Sequence, residues 1–149
     1  MRRHLIIRNA RVAALLVGGG VAALAQQDAI KSRKSIMKSN GEQLKAVVAM
    51  IRNQQPFDRA KAKAAFAAFA DAGRKMPDLF PDNSKTGKTD ASPKIWENMN
   101  DVKARFARFE QDATAAQASV NDLASLRTAL RNIDKDCSEC HELYRIRRR

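Results

Sequence analysis

The sequence predicts an all-α protein, folded as an antiparallel up-down-up-down four-helix bundle. Four segments repeat apolar residues at steps of three and four, which places those residues on one face of a helix. The last three of these four segments are separated from one another by stretches rich in proline, glycine or other turn-forming residues. No stretch shows the strict apolar–polar alternation of a half-buried strand, and the chain has no internal sequence repeat.

The chain begins with features of a secretory signal peptide. Four arginines precede the apolar run 12–24, and Ala23-Leu24-Ala25 comes before polar residues. We predict cleavage after Ala25, so that residues 1–25 are the signal peptide and residues 26–149 form one domain. The apolar run is short for a membrane span of about 20 residues, so an uncleaved anchor is the less favoured alternative.

The first helix of the bundle is predicted from Asp28 to about Asn53, and Pro56 follows its end. Gly41 lies inside this helix, where glycine costs about 1 kcal/mol relative to alanine. We therefore expect a close approach there by another backbone or by a ring. The apolar face is formed by Ile30, Ile36, Met37, Leu44, Val47, Val48 and Ile51.

The second helix is predicted from Phe57 or Asp58 to about Met76, with Asp58 as its N-cap. Pro77 stops it, and residues 78–92 are predicted to be an exposed connection, longer than most. Small residues on its apolar stripe would allow close packing against a neighbour. The stripe consists of Ala62, Phe66, Phe69, Gly73 and Met76.

The third helix is predicted to start with Ser92 as N-cap and Pro93 at its first position. Trp96 lies one step off its apolar stripe, where we expect it to pack at the edge of the bundle. The stripe is a strong signal for a bundle seam and consists of Ile95, Met99, Val102, Phe106, Phe109, Ala113 and Ala116.

The fourth helix is predicted from about Ser119 to about Tyr144. Both cysteines of the chain lie on its apolar, core-facing stripe. That stripe consists of Leu123, Leu126, Leu130, Ile133, Cys137, Cys140 and Tyr144.

The fourth helix contains the run Cys137-Ser138-Glu139-Cys140-His141. Cys-x-x-Cys-His is the attachment signature of a c-type haem, in which two thiols form thioethers and the imidazole binds iron. On a helix, positions i, i+3 and i+4 share one face, so all three side chains can address one flat macrocycle. We predict one covalently attached haem c, inserted between this helix and its neighbours, where it would bury a large apolar face.

Two other types of site use Cys-x-x-Cys. A structural zinc site takes about four Cys or His ligands, but the chain has two cysteines and two histidines, and His4 lies in the predicted signal peptide. A redox dithiol normally opens a helix in a βαβ unit, and no strand pattern precedes Cys137. A haem-free thiol-containing or metal-binding helical protein is the further alternative.

The chain is strongly basic, with a formal net charge of +12. Removal of four arginines with the signal peptide lowers this charge to +8. A basic protein favours acidic partners, and we predict acidic redox proteins. Nucleic acid is not expected, because an exported chain carries these charges spread along its length. The cluster of Arg145, Arg147, Arg148 and Arg149 is either a solvated tail or a docking feature.

With these residues in view, the chain resembles the class II c-type cytochromes, the cytochrome c′ family, over nearly all of the predicted mature length. The resemblance rests on Arg33, Met37, the Pro93-x-Ile95-Trp96 opening of the third helix, the motif Cys137 to His141, and Arg145.

The resemblance implies a periplasmic bundle in which Cys137 and Cys140 hold the haem and His141 is the proximal ligand. Helix one then faces the other side of the haem. Family members with an apolar, non-ligating residue at the position of Met37 are five-coordinate, high-spin and able to bind nitric oxide or carbon monoxide. Members with methionine there form a low-spin branch in which the thioether is the sixth ligand. Members often pair through their first two helices, so a homodimer is also implied.

Met37 and Arg33 are the two candidate site residues in helix one. A Met/His ligand pair raises the reduction potential and closes the iron to other ligands, although methionine on an apolar stripe is usually a core residue. Arg33, one turn earlier, is predicted to pair with a haem propionate; the alternative is a snorkelling side chain.

We therefore predict a periplasmic monohaem one-electron carrier, and not an enzyme. The alternative is a five-coordinate cytochrome that binds nitric oxide or carbon monoxide.

Overall fold

A computed structural model describes residues 18–146 as an all-helical bundle. Helices α1, α2, α4 and α5 form the bundle, and α3 is a short helix that precedes α4. Side-chain contacts between α1 and α2, α2 and α4, α4 and α5, and α5 and α1 place each pair antiparallel, which confirms the predicted fold class. The bounds are Gly18–Ile51 for α1, Arg59–Lys75 for α2, Lys94–Glu97 for α3, Met99–Ser119 for α4 and Leu123–Tyr144 for α5.

Helix α1 begins ten residues before the start predicted at Asp28 and continues through Ala25. The predicted start is therefore wrong, because the alanine-rich residues before Asp28 are good helix formers and extend the same helix. The signal peptide lies mostly outside the described residues. Its cleavage and the domain limits at residues 25 and 26 stay predictions.

Helix α2 begins close to the predicted residue. Asp58 accepts a hydrogen bond from the backbone N–H of Lys61 at 3.0 Å, as an N-cap does. Gly73 lies where α2 meets α4, since a Cβ built on it would stand 2.9 Å from the backbone nitrogen of Glu110. Nothing lies within 4 Å of a Cβ built on Gly41. The close approach of a second backbone is therefore at Gly73 and not at Gly41. The alternative expected at Gly41, an approach by a ring, stays a prediction, because Gly41 lies on the wall of a cavity.

The connection from α2 to α3 was predicted to be exposed, but part of it is buried. It contains the 3₁₀ helices Met76–Leu79 and Asp82–Ser84. Phe80 is buried, and Ser84 has no exposed surface. The reason is a contact that sequence spacing does not reveal: the connection wraps around the buried guanidinium of Arg33.

The predicted third helix is interrupted at Asn98, where φ is −130° and ψ is 38°. The Asn98 side chain donates a hydrogen bond to the carbonyl of Lys94 at 3.0 Å, a local bond that competes with helix continuation. The helix starts one residue later than predicted, at Lys94 with Pro93 as N-cap, although the Ser92 hydroxyl accepts a hydrogen bond from the Lys94 backbone at 3.3 Å. Trp96 packs edge-to-face on Phe80, with ring centroids 5.8 Å apart.

Helix α5 begins at Leu123, four residues after the predicted Ser119. Asp122 is its N-cap and forms a capping box with Ser125. Val120, buried and extended, ends α4 instead. The predicted boundary is wrong because the apolar pattern continues across the turn, whereas the capping residues mark the break.

The interior contains two apolar clusters. The connection cluster packs beside the α2–α3 connection and consists of Met76, Phe80, Ile95, Val102, Phe106 and Tyr144. The central cluster fills the rest of the bundle and includes Val47, Met50, Phe66, Phe69, Phe109, Leu126 and Ile133. A cavity, described below, is lined by residues of both clusters.

Candidate functional site

A cavity of about 690 Å³ opens between the two clusters. This volume lies within the range of about 300–1,000 Å³ found for ligand pockets. All six residues of the connection cluster line it, together with three from the central cluster. Every residue proposed as a site residue from the sequence also lies on its wall: Arg33, Met37, Cys137, Cys140 and His141.

The two cysteines face opposite clusters. Cys137 packs against the central cluster and Cys140 against the connection cluster. Burial raises the pKa of the Cys137 thiol to about 11 and also raises the pKa of Cys140. Reactive cysteines of disulfide oxidoreductases have lowered pKa values, so this environment does not favour thiol–disulfide exchange. Two protonated thiols, one helical turn apart, therefore line an apolar cavity.

His141 is half-buried one position after Cys140. Burial lowers the pKa of its imidazole, and the positive charge of Arg145 lowers it further. A neutral imidazole is the form that binds a metal ion.

Two methionines line the cavity. Met37 comes from α1 and packs against the connection cluster, and Met76 comes from the end of α2. Met50 belongs to the central cluster, where its sulfur accepts a hydrogen bond from the Asp58 backbone at 3.3 Å. Met99 packs against the connection cluster and does not line the cavity. Two thioethers thus share the cavity with His141, and sequence spacing had singled out one.

Arg33 is 4 % exposed, so it does not snorkel. Its Nη1 donates hydrogen bonds to the Leu79 carbonyl and to the Ser84 hydroxyl, and its Nη2 donates to the Ser84 carbonyl and to the Thr89 hydroxyl. Burial lowers the pKa of its guanidinium. The predicted bond to a haem propionate stays a prediction, but these two nitrogens already bind the α2–α3 connection.

A buried carboxyl that the sequence analysis did not single out lies beside Cys137. Asp136 Oδ1 forms an ion pair with Arg108 Nε at 3.1 Å, whereas Oδ2 is buried without a hydrogen-bond partner among the described residues. Burial, followed by the nearby carboxylate of Asp112, raises the pKa of Asp136 to about 6. Arg108 lies between the two acids, 3.8 Å from Asp112. The signal available in the sequence was a charged residue directly before the apolar Cys137.

A second network closes the wall beside Cys140. The Tyr144 hydroxyl donates a hydrogen bond to Asp101 Oδ2 at 2.6 Å, and Arg105 Nε donates to the same oxygen at 2.7 Å. This network joins α4 to the last turn of α5. Spacing within one helix could not predict the link between the two helices, because Tyr144 and Asp101 are 43 residues apart in sequence.

The donor set fits a c-type haem. Two thiols and one imidazole lie at i, i+3 and i+4 of a single helix, and the cavity beside them is largely apolar. Within residues 18–146, no group of three or more His, Cys, Asp or Glu side chains could hold a metal ion. No described helix is both long and apolar enough to cross a membrane.

The chain is similar to known proteins in sequence and in fold. The family model for cytochrome c′ matches residues 28–145. Cytochrome c′ of Rhodopseudomonas palustris is 41 % identical over 143 residues, which cover 95 % of this chain and 98 % of the relative. Its solved structure superposes with a TM-score of 0.79 at 40 % identity, covering 82 % of this chain and 98 % of that one. Cytochrome c-556 of Agrobacterium fabrum is 36 % identical over 134 residues, covering 89 % of both chains.

A four-helix bundle with a Cys-x-x-Cys-His motif on its last helix defines a class II c-type cytochrome, which carries one covalently attached haem c. The chain belongs to the cytochrome c′ family.

Proposed function

We propose that this protein is a periplasmic one-electron carrier whose iron is ligated by His141 and Met37. The observation that carries the proposal is that Met37 and His141, from helices α1 and α5, lie on the wall of one cavity. The Met37 thioether and the His141 imidazole would be the two protein ligands to iron. A coordination fixed by two protein ligands would need little rearrangement during electron transfer.

Each residue of the site has its own role. Cys137 and Cys140 hold the macrocycle through two thioethers, and His141 offers a neutral nitrogen. When bound, the haem supplies one-electron chemistry between ferric and ferrous iron. The apolar wall excludes water, and the Met37 thioether, as the second protein ligand, would keep other ligands from iron. Nothing in this assignment needs a substrate pocket, so we propose a carrier and not an enzyme.

We propose that the partners are acidic redox proteins. Lys34 and Lys38, both exposed, and Arg145 lie at the cavity, so positive charge surrounds the site where an electron would enter. Periplasmic location follows from the predicted signal peptide and is typical of the family. A homodimer through α1 and α2 stays a prediction, which sedimentation of the purified haem protein tests.

Gas binding is the second candidate function. Gly41 lies one turn after Met37 on the cavity wall and has no side chain. It would therefore not crowd a small molecule such as nitric oxide or carbon monoxide bound in the cavity if Met37 did not bind iron.

Absorption spectra of the ferric and ferrous haem protein, with and without carbon monoxide, test the proposal. We expect a low-spin ferrous spectrum that changes slowly on addition of carbon monoxide. Met37→Leu should become high-spin and bind carbon monoxide promptly. Met76→Leu is the matched control, because it removes the other cavity thioether, and it should behave like wild type.

Two results would overturn Met37 ligation. One is a high-spin wild-type spectrum with prompt carbon monoxide binding, which would favour the gas-binding function. The other is a switch to high spin in Met76→Leu and not in Met37→Leu. Absence of covalently attached haem after expression with c-type maturation would favour the haem-free alternative.

A further inference from the structure

We propose that residues 84–92 act as a strap that fixes the separation of α1 and α5 across the cavity, and that Arg33 is the positioning residue that anchors this strap to α1. The inference rests on the proposed function, because the two helices held by the strap carry the proposed ligands Met37 and His141.

The first anchor of the strap is on α1. Arg33 Nη1 donates to the Ser84 hydroxyl at 2.7 Å, and Nη2 donates to the Ser84 carbonyl at 3.2 Å and to the Thr89 hydroxyl at 3.4 Å. The guanidinium carbon lies 4.8 Å from the ring centroid of Phe80 and 5.7 Å from that of Trp96. Burying a charge is costly unless its donors are satisfied, so these contacts fix Arg33 and the connection to each other.

The second anchor is on the end of α5. The Asp90 carbonyl accepts a hydrogen bond from the backbone N–H of Ile146 at 2.8 Å, and the Ser92 N–H donates to the Tyr144 carbonyl at 2.9 Å. The Thr89 hydroxyl also accepts from the Ala91 N–H at 3.1 Å. Thr89 is the neighbour of Asp90 in the chain, so an unbroken path of bonds runs from α1 to α5.

The anchors lie close to the proposed ligands. Arg33 precedes Met37 by one helical turn, and Tyr144 follows His141 by three residues. A bond between a thioether and iron forms only at a fixed distance, so it depends on how firmly α1 and α5 are held. A loosened strap would let α1 move away and leave the sixth position open for part of the time.

The strap and the predicted propionate contact make different demands on Arg33. Propionate pairing needs the positive charge of the guanidinium, whereas the strap needs the acceptors of the connection. The double substitution Ser84→Ala with Thr89→Val removes two hydroxyl acceptors and leaves Arg33 in place. It therefore separates the two roles.

The experiment compares this double variant and Arg33→Ala with wild type, all as haem-loaded proteins. We expect both variants to bind carbon monoxide at least tenfold faster and to show a larger high-spin fraction, while helix content by circular dichroism is retained. The matched control is Arg127→Ala. Arg127 Nη2 also joins α5 to α1, through the Ile51 carbonyl at 3.3 Å, but it lies at the other end of the bundle. This control should keep the wild-type rate.

Hydrogen exchange at the amides of Ser92 and Ile146 provides a readout that does not depend on Met37 ligation. We expect faster exchange in both strap variants and wild-type exchange in Arg127→Ala.

If wild type itself is high-spin, the proposed ligation fails, and the exchange rates alone decide whether the strap exists. Wild-type exchange and carbon monoxide binding in the double variant, with altered behaviour in Arg33→Ala only, would overturn the strap. Equal effects of Arg127→Ala and the double variant would overturn it as well.

Discussion

At the scale of single residues, Asp136 has the most unusual environment of the acids in the cavity wall. Its carboxyl is buried beside Arg108, and its second oxygen faces no donor among the described residues. The raised pKa of about 6 means that the folded protein holds a proton there that the unfolded chain releases near pH 4. Below pH 4 the Asp136 carboxyl is protonated in both the folded and the unfolded state, so its contribution to the stability of the folded protein, measured relative to neutral pH, is fully present. This contribution is lost as the pH rises from about 4 to about 6.

Asp136→Asn should remove this dependence on pH. We expect the variant to be more stable than wild type at pH 7 by about 1 kcal/mol, a value discounted for solvent screening, and to lose that advantage by pH 4. Thermal unfolding of both proteins across this pH range measures the difference. The control is Asp82→Asn, whose side chain is 91 % exposed and whose substitution should not alter the slope. A gain in stability of Asp136→Asn over wild type that is the same at every pH would contradict a raised pKa of Asp136.

The spacing of residues within one helix predicted which of them share a face, whereas the residues that a side chain contacts on another element could not be predicted from spacing. Cys137, Cys140 and His141 are tied to each other by spacing alone, so their shared face follows from helix geometry. Arg33 differs, because its partners Ser84 and Thr89 are more than 50 residues away. Its environment was therefore decided by the fold.

At the scale of elements, the contact between α2 and α4 depends on Gly73. The absence of a side chain lets the two backbones approach, since a Cβ would stand 2.9 Å from both the Cβ and the backbone nitrogen of Glu110. Backbone atoms cannot move aside as a flexible side chain could. The interface should therefore tolerate no larger residue at this position.

Gly73→Ala should destabilise the protein, although alanine is the better helix former. Overpacking typically costs about 1–3 kcal/mol, which exceeds the helix-propensity gain of about 1 kcal/mol. We expect a net loss of roughly 1 kcal/mol in chemical denaturation, and a greater loss for Gly73→Val. A gain in stability for Gly73→Ala, which helix propensity alone predicts, would contradict this packing.

Helix boundaries show which local signals compete with apolar periodicity. The periodic stripe correctly located all four bundle helices, but it ran across the break at Asn98 and across the turn before α5. Side-chain hydrogen bonds of Asn98 and Asp122 decide those two boundaries. A short polar residue can favour either a cap or helix continuation, and only the tertiary path of the chain selects one.

At the scale of the whole molecule, the bundle is built around a space that the chain itself does not fill. The cavity of about 690 Å³ separates the central cluster from the connection cluster. Protein interiors are normally close-packed, so the apolar walls require a large apolar group to complete the core. The family's covalently attached haem c meets this requirement.

The haem-free variant Cys137→Ser with Cys140→Ser should therefore be less stable than the haem protein. We expect its Tm to fall by about 5 °C or more, since about 2–4 °C accompanies each kcal/mol lost in a domain somewhat larger than this one. Thermal unfolding and binding of a hydrophobic dye measure the effect. Met37→Leu, which keeps both thioether attachments, is the control and should retain most of the stability. An unchanged Tm without haem would show that the walls close on themselves.

Residues a few positions apart specify the class of fold, the haem motif and the buried faces of the helices, so all three could be predicted from the chain alone. The tertiary structure decided what lies opposite that motif. It brought Met37 and Met76 to the same cavity, buried Arg33 in the connection and placed Asp136 against α4. These contacts join residues far apart in the chain, and helical periodicity specifies which face of a helix is buried without specifying which residue it meets.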